Sequence, residues 1–109
     1  MARVDPDAGK VTLGTPDRDT LALSGALTFA TAARAFAEGS RVLASGAQTR
    51  LDLSGLTRAD SAGLACVLGL AAAASRAGRR LAVVNWPEGL RALAGVCGVA
   101  SLLEPPAAG

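Results

Sequence analysis

Residues 51–65 read Leu51-Asp52-Leu53-Ser54-Gly55-Leu56-Thr57-Arg58-Ala59-Asp60-Ser61-Ala62-Gly63-Leu64-Ala65. This stretch decides the fold because it joins two different apolar patterns. Residues 50–55 form a short apolar run, which is typical of a strand at the centre of a sheet. From residue 61 to residue 76 the apolar residues recur at helical spacing. We therefore expect a strand, a short connection over residues 57–60 and a long helix.

The flanking sequence continues this alternation of strands and helices. Strands are predicted over residues 10–13, 20–25 and 80–85, and turn chemistry over residues 15–19 predicts a hairpin between the first two. Thr28 is predicted to cap a helix that ends near Gly46, and Pro87 to open a last helix that Gly98 stops. The order β-β-α-β-α-β-α places this chain in the α/β class. Each of the two late strands follows a helix, so we expect them to be parallel, with right-handed crossovers.

The first predicted helix has one apolar stripe at a spacing of 3.6 residues. We expect this stripe to face the core, and its members are Phe29, Ala33, Phe36, Ala37, Ser40 and Leu43. Residues 99–103 are predicted to form a last short element of the domain, which covers residues 10–103. Outside it, residues 1–9 read as a flexible leader and residues 104–109 as a tail.

The net charge argues against nucleic-acid binding, and the hydropathy argues against a membrane-spanning segment. Eleven Lys and Arg against nine Asp and Glu give a net charge of +2, which is too mild to predict nucleic-acid binding. Arg76, Arg79 and Arg80 are expected to complement a helix dipole rather than to form an anion-binding patch. No apolar run reaches the ~20 residues that span a bilayer, and the polar start does not resemble a signal peptide. The chain is expected to be cytoplasmic, with any membrane link made through a partner.

The residues that catalysis most often requires are missing. Histidine is absent, which excludes Ser-His-Asp and Cys-His mechanisms and argues against an enzyme that uses Asp60 and Ser61. Cys66 and Cys97 lie in apolar helical stretches and are expected to be buried, reduced thiols rather than zinc ligands. No phosphate-binding glycine motif occurs. We therefore predict no enzymatic activity, no cofactor and no metal.

Two polar residues stand at the start of the best predicted helix. Asp60 and Ser61 are suited to accept the unpaired backbone N–H groups of its first turn. The same position can present polar groups to a partner or hold a phosphate. Gly63 has two interpretations, tight packing against a neighbouring element or close approach of a partner, and the sequence leaves both open.

Residues 51–65 also resemble the signature of STAS domains, the anti-sigma-factor-antagonist-like fold. In that family a strand and a short loop precede Asp, then Ser or Thr, any residue, Gly and Leu. The predicted order of elements is similar to that fold over residues 10–103. The resemblance implies a mixed central sheet of about four strands, with helices packed mainly on one face, and a function in binding other proteins.

Two branches of the STAS family fit this motif. Residues 58–65 resemble the loop of MlaB-like domains, small cytoplasmic subunits of a phospholipid-trafficking ABC transporter that maintains outer-membrane lipid asymmetry. That resemblance implies a non-catalytic adaptor that binds an MlaF-like ATPase, supports assembly and activity of the complex, and lies peripheral to the inner membrane through that partner. The alternative is an anti-sigma factor antagonist, which an anti-sigma factor kinase would switch by phosphorylating Ser61.

Either branch implies a docking surface at the start of the long helix. The expected partner-binding residues are Arg58, Asp60, Ser61, Ala62, Gly63, Leu64 and Trp86. Trp86 is included because it follows a strand that is expected to end at the same edge of the sheet, although a lone Trp is more often part of a core.

Overall fold

The computed structural model describes residues 9–99. Within this range the elements follow the predicted order, which confirms the α/β class. They are β1 (Val11–Asp17), β2 (Thr20–Leu27), α1 (Ala32–Ser45), β3 (Arg50–Ala59), α2 (Ser61–Arg76), β4 (Ala82–Val84) and α3 (Glu88–Val96). The predicted leader up to residue 8, the last short element from residue 100 and the tail over residues 104–109 lie outside the described residues.

The strands form one mixed sheet in the order β1-β2-β3-β4. β1 and β2 are antiparallel, whereas β3 lies parallel to both β2 and β4. Leu51 in β3 is opposite Leu21 of β2 on one side and Val83 of β4 on the other. β3 therefore has the predicted central position, and the late strands are parallel as expected.

One face of the sheet is buried beneath the helices. Leu21 and Leu23 of β2 and Leu51 and Leu53 of β3 have no exposed surface, whereas Asp52, between the last two, is partly exposed. This alternation follows from the two-residue period of a strand. The helices contribute further buried side chains, among them Leu43, Leu64, Val67, Leu70, Leu90 and Ala94.

β3 is longer than the sequence suggested. β4 pairs only with residues 50–52, but β3 continues beside β2 until Ala59 lies opposite Leu27. Residues 57–59 are thus strand, and the prediction of a connection over residues 57–60 is wrong. The strand continues because β2 extends to Leu27 and remains hydrogen-bonded to β3 along this length. The pairing includes two register shifts. As a result, α2 starts at the tip of the longest strand.

The hairpin turn is tighter than predicted. β1 reaches Asp17, which lies opposite Thr20, so residues 15–17 belong to the strand rather than to the turn. A register shift between Gly14 and Asp17 accommodates Pro16, which has no N–H to donate to a ladder. The N–H of Asp19 donates to the Asp17 carboxylate at 2.9 Å and closes the turn.

α1 begins three residues later than predicted, and Thr28 is not its cap. The residue before the helix is Thr31, whose side chain makes no capping hydrogen bond. Its buried hydroxyl donates to the carbonyl of Ala26 at 2.7 Å and accepts the N–H of Thr28 at 3.0 Å. Thr31 therefore ties the entry of α1 to the end of β2.

The predicted inner stripe of α1 is also largely wrong. The buried residues are Ala35, Gly39 and Leu43, so only Leu43 of the stripe is in the core. Phe29 and Phe36 are 87% and 38% exposed. The reason is close packing, since a Cβ at Gly39 would lie 2.7 Å from a methyl carbon of Leu70. Small residues let α1 approach α2, which leaves Phe36 at the surface, whereas Phe29 precedes the helix.

Arg79 forms hydrogen bonds at the end of α1, whereas the sequence predicted that it would interact with the dipole of α2. Its Nε donates to the carbonyl of Gln48 at 3.0 Å, and its Nη2 donates to the carbonyl of Leu43 near the end of α1. Of the three arginines expected to complement a helix dipole, only Arg76 lies in the last turn of α2. Arg80 lies beyond the helix, just before β4.

The two cysteines have different environments. Cys66 is buried in α2 as predicted, whereas Cys97 is exposed. α3 ends at Val96, so Cys97 falls beyond the helix, and its predicted burial is wrong.

Candidate functional site

Asp60 organises the start of α2. One carboxylate oxygen accepts the N–H of Gly63 at 3.0 Å, which is the predicted capping hydrogen bond. The other oxygen accepts the N–H of Phe29 at 3.1 Å, from the turn between β2 and α1. The N–H of Asp60 itself donates to the carbonyl of Leu27 at 3.3 Å. This residue therefore joins α2 to the turn that leads into α1.

The hydrogen bonds to Asp60 also set its charge. The N–H of Gly63, followed by that of Phe29, lowers the pKa of the Asp60 carboxyl below its ordinary value, because both bonds favour the charged form. The carboxylate is consequently negative at neutral pH, and it lies at the positive end of the α2 dipole.

Gly63 and Leu64 lie inside the domain. A Cβ at Gly63 would run into the carbonyl oxygen of Leu27, so this glycine is needed for packing of α2 against β2. Leu64 is 4% exposed and belongs to the core. Of the two interpretations of Gly63, the structure favours tight packing. Both residues therefore help to hold the segment in place, and their contact with a partner stays a prediction.

The outer part of the segment consists of exposed or half-buried side chains around Ser61. Ser61 is the first residue of α2 and is exposed, and Ala62 beside it is half-buried. Arg58 is exposed near the end of β3, opposite Ala26 of β2. We call Arg58, Asp60, Ser61 and Ala62 the α2 start surface. These are the predicted site residues that the structure brings together at an accessible position.

An open apolar groove of ≈560 Å³ continues from this surface between α1 and α2. Its walls include Phe29 from the turn before α1, Ala33 and Phe36 from α1, and Ala62, Ala65 and Gly69 from α2. The Phe36 ring lies across Gly69, where a Cβ would be only 2.8 Å from the ring. Sequence reasoning missed the groove because it assigned Phe29 and Phe36 to the core.

Comparison with protein families identifies the chain. A family model described as "Mlab, STAS domain" matches residues 12–104, most of its length. The chain belongs to this STAS family. The MlaB-like resemblance predicted from the sequence is thereby confirmed.

Solved structures that resemble this STAS domain show the same fold. The anti-sigma factor antagonist SpoIIAA in its unphosphorylated form is 21% identical, with a TM-score of 0.69 over 91% of this chain and 89% of the other. The Bacillus cell fate determinant SpoIIAA in its phosphorylated form is also 21% identical, with a TM-score of 0.65 over 91% and 92% of the two chains. This likeness confirms the predicted architecture. A comparison with proteins of curated function finds no match.

Trp86 lies apart from the α2 start surface of the STAS domain. β4 ends beside Asp52 of β3, and from there to Ala59 β3 runs a further seven residues, roughly 20 Å. The half-buried Trp86 ring packs against the core, and its Nε1 donates to the carbonyl of Val83 at 3.1 Å. These contacts give Trp86 a structural role, and its contact with a partner stays a prediction.

A second polar contact lies at the end of β4, and sequence reasoning did not anticipate it. The side chain of Asn85 donates to the carboxylate of Asp52 at 3.0 Å, and Asn85 has a φ of 56°. The Ser54 N–H is the largest influence that lowers the pKa of Asp52, and the Asn85 amide adds to it. Asn tolerates the left-handed region better than most residues, which was the one available signal.

Within residues 9–99 of the STAS domain, no group of three or more Cys, Asp or Glu residues is placed so that it could bind a metal ion. Burial raises the pKa of the Cys66 thiol to about 11, so this thiol is protonated at neutral pH and is a poor nucleophile. In the same part of the chain, none of the helices combines the length and the hydropathy that crossing a bilayer requires.

Proposed function

We propose that this STAS domain is a non-catalytic adaptor subunit that binds an MlaF-like ATPase through the α2 start surface. The ATPase would belong to a phospholipid-trafficking ABC transporter that maintains outer-membrane lipid asymmetry, and the adaptor would support its assembly and activity. The observation that carries the proposal is the family match over residues 12–104, whose description names MlaB.

The geometry of the α2 start surface supports docking of a protein. Ser61 and Ala62 have short side chains, so a partner can approach the first turn of α2 closely. Asp60 holds that turn through two hydrogen bonds, and little conformational freedom is lost when a partner binds a surface already fixed in this way. Arg58 adds an exposed cation near the end of β3, two residues before Asp60.

Co-purification with the MlaF-like ATPase of the same organism tests the proposal. We expect the wild-type chain to form a stable complex and Ser61→Arg to prevent it, because a long charged side chain would stand where the partner must approach. Ser54→Arg is the matched control, since Ser54 is exposed on the sheet face away from the helices. If Ser61→Arg leaves the complex intact, the docking surface is wrong.

Exposure of Ser61 at the start of α2 also supports a second candidate, an anti-sigma factor antagonist switched by phosphorylation. A phosphate on Ser61 would add about two negative charges next to the Asp60 carboxylate, and the resulting repulsion would disrupt docking. Incubation with an anti-sigma factor kinase and ATP, followed by mass measurement, tests this candidate with Ser61→Ala as control. An unmodified Ser61 would eliminate it.

A further inference from the structure

The contact line between α1 and α2 continues beyond the apolar groove. A second cavity of ≈320 Å³ follows, lined by Ser40 and Ala44 of α1 and by Ala73 and Arg76 of α2. Ala62 and Arg76 are about four helical turns apart, roughly 21 Å. We call the whole surface, from Phe29 and Ala62 at one end to Arg76 at the other, the α1/α2 seam.

The seam carries a single charge, at one end. Among the residues that line its two cavities, Arg76 alone is charged, and the others are apolar or small. Arg76 is exposed, and it belongs to no ion pair within residues 9–99. A partner that covers the seam therefore needs an apolar face over most of its length and a carboxylate at the Arg76 end.

Phe29 anchors the opposite end of the seam. Its side chain is 87% exposed, yet its N–H is held by the Asp60 carboxylate at 3.1 Å. Phe is one of the residues enriched at protein interfaces, and a fixed backbone reduces the conformational freedom that binding must remove. Ala62 belongs both to the α2 start surface and to the seam, so the two surfaces are continuous.

We infer that the seam binds one amphipathic helix of the partner ATPase. The apolar face of that helix packs on Phe29 and Phe36, and an acidic residue about three to four turns away pairs with Arg76. An amphipathic helix in an apolar groove is a recurring mode of recognition, and the length and charge of the seam match it. The inference rests on the proposed function and names the part of the ATPase that docks.

The dissociation constant of the adaptor–ATPase complex tests the inference. Phe29→Ala removes the anchor, Ala65→Trp fills the groove and Arg76→Glu reverses the charge, and each is expected to weaken binding about tenfold or more. Val96→Ala is the matched control, because Val96 on α3 is also 87% exposed but lies outside the seam. Unchanged thermal unfolding of Phe29→Ala would show that the fold is intact.

Charge reversal identifies the acidic residue of the ATPase helix. Replacing that residue with Arg is expected to restore binding to the Arg76→Glu variant, which a purely structural effect of the substitution would not allow.

A different outcome would contradict the seam inference: Ser61→Arg blocks binding, while Phe29→Ala and Ala65→Trp bind as tightly as the wild type. The seam inference is then wrong, and docking is limited to the α2 start surface. Failure of the wild-type chain to bind the ATPase would overturn the proposed function as well.

Discussion

The carboxylate of Asp60 accepts a hydrogen bond from the backbone N–H of Phe29, 31 positions earlier in the chain. The same carboxylate caps α2 through the N–H of Gly63. The turn into α1 and the first turn of α2 are therefore held by one side chain. Together with the bond from the Asp60 N–H to the Leu27 carbonyl, this bond fixes the α2 start surface relative to the aromatic end of the α1/α2 seam.

Removal of the Asp60 carboxylate should destabilise the domain. We expect Asp60→Ala to lower the free energy of unfolding by about 1 kcal/mol, the usual cost of losing a helix cap. Asp60→Asn should cost less, because the amide keeps one oxygen that can accept the Gly63 N–H. Urea unfolding measures both variants, with Asp19→Ala in the exposed hairpin turn as control. Equal losses for the Asp19 and Asp60 variants would contradict the capping role.

The stability of the domain should fall in acid. The pKa values of Asp60 and Asp52 are lowered by folding from an ordinary value of 3.8. Stability that depends on a lowered carboxyl pKa is fully present well above that value and is lost as the pH falls through the folded-state pKa. Urea unfolding at a series of pH values should therefore show a decline that begins near pH 4. In Asp60→Asn the decline should be shallower, and an unchanged profile would argue against this contribution.

The junction between β3 and α2 was predictable because its signals are local. The apolar run of β3, the capping residue Asp60 and the helical spacing after Ser61 all lie within a short stretch of sequence. The inner face of α1 was not predictable in the same way. Its burial depends on how closely Gly39 approaches Leu70, and that distance is set by the packing of two separate helices.

In the candidate site, too, local contacts were predictable from the sequence and long-range contacts were not. The capping bond between Asp60 and Gly63 follows from residues three positions apart and was predicted. The bond from Phe29 joins distant parts of the chain, and no pattern around residue 29 indicates it. Periodicity alone could not show that β4 pairs only with residues 50–52 of β3, whereas β3 continues to Ala59 before α2 begins.

Two glycine-to-alanine substitutions should have opposite effects. Gly63→Ala places a methyl group against the Leu27 carbonyl oxygen, a backbone atom that cannot move aside easily, and should destabilise the domain by about 1–3 kcal/mol. Gly95 lies in α3, and among residues 9–99 no other part of the fold comes within 4 Å of a Cβ added there. Gly95→Ala should therefore stabilise the domain by up to about 1 kcal/mol. Chemical unfolding measures both changes, and a neutral Gly63→Ala would show that α2 can shift away from β2.

The two cysteines should differ strongly in their reaction with iodoacetamide. Cys66 is 5% exposed, and its pKa is raised to about 11, so almost no reactive thiolate exists at neutral pH. Cys97 is exposed. Mass measurement should find one modified thiol on the folded chain, at Cys97, and two after unfolding in urea. In Cys97→Ser the folded chain should remain unmodified on the same timescale, because Cys66 is only 5% exposed in the wall of the apolar groove and its thiol stays protonated at neutral pH. If that variant reacts as fast as the wild type, Cys66 is not protected as the structure indicates.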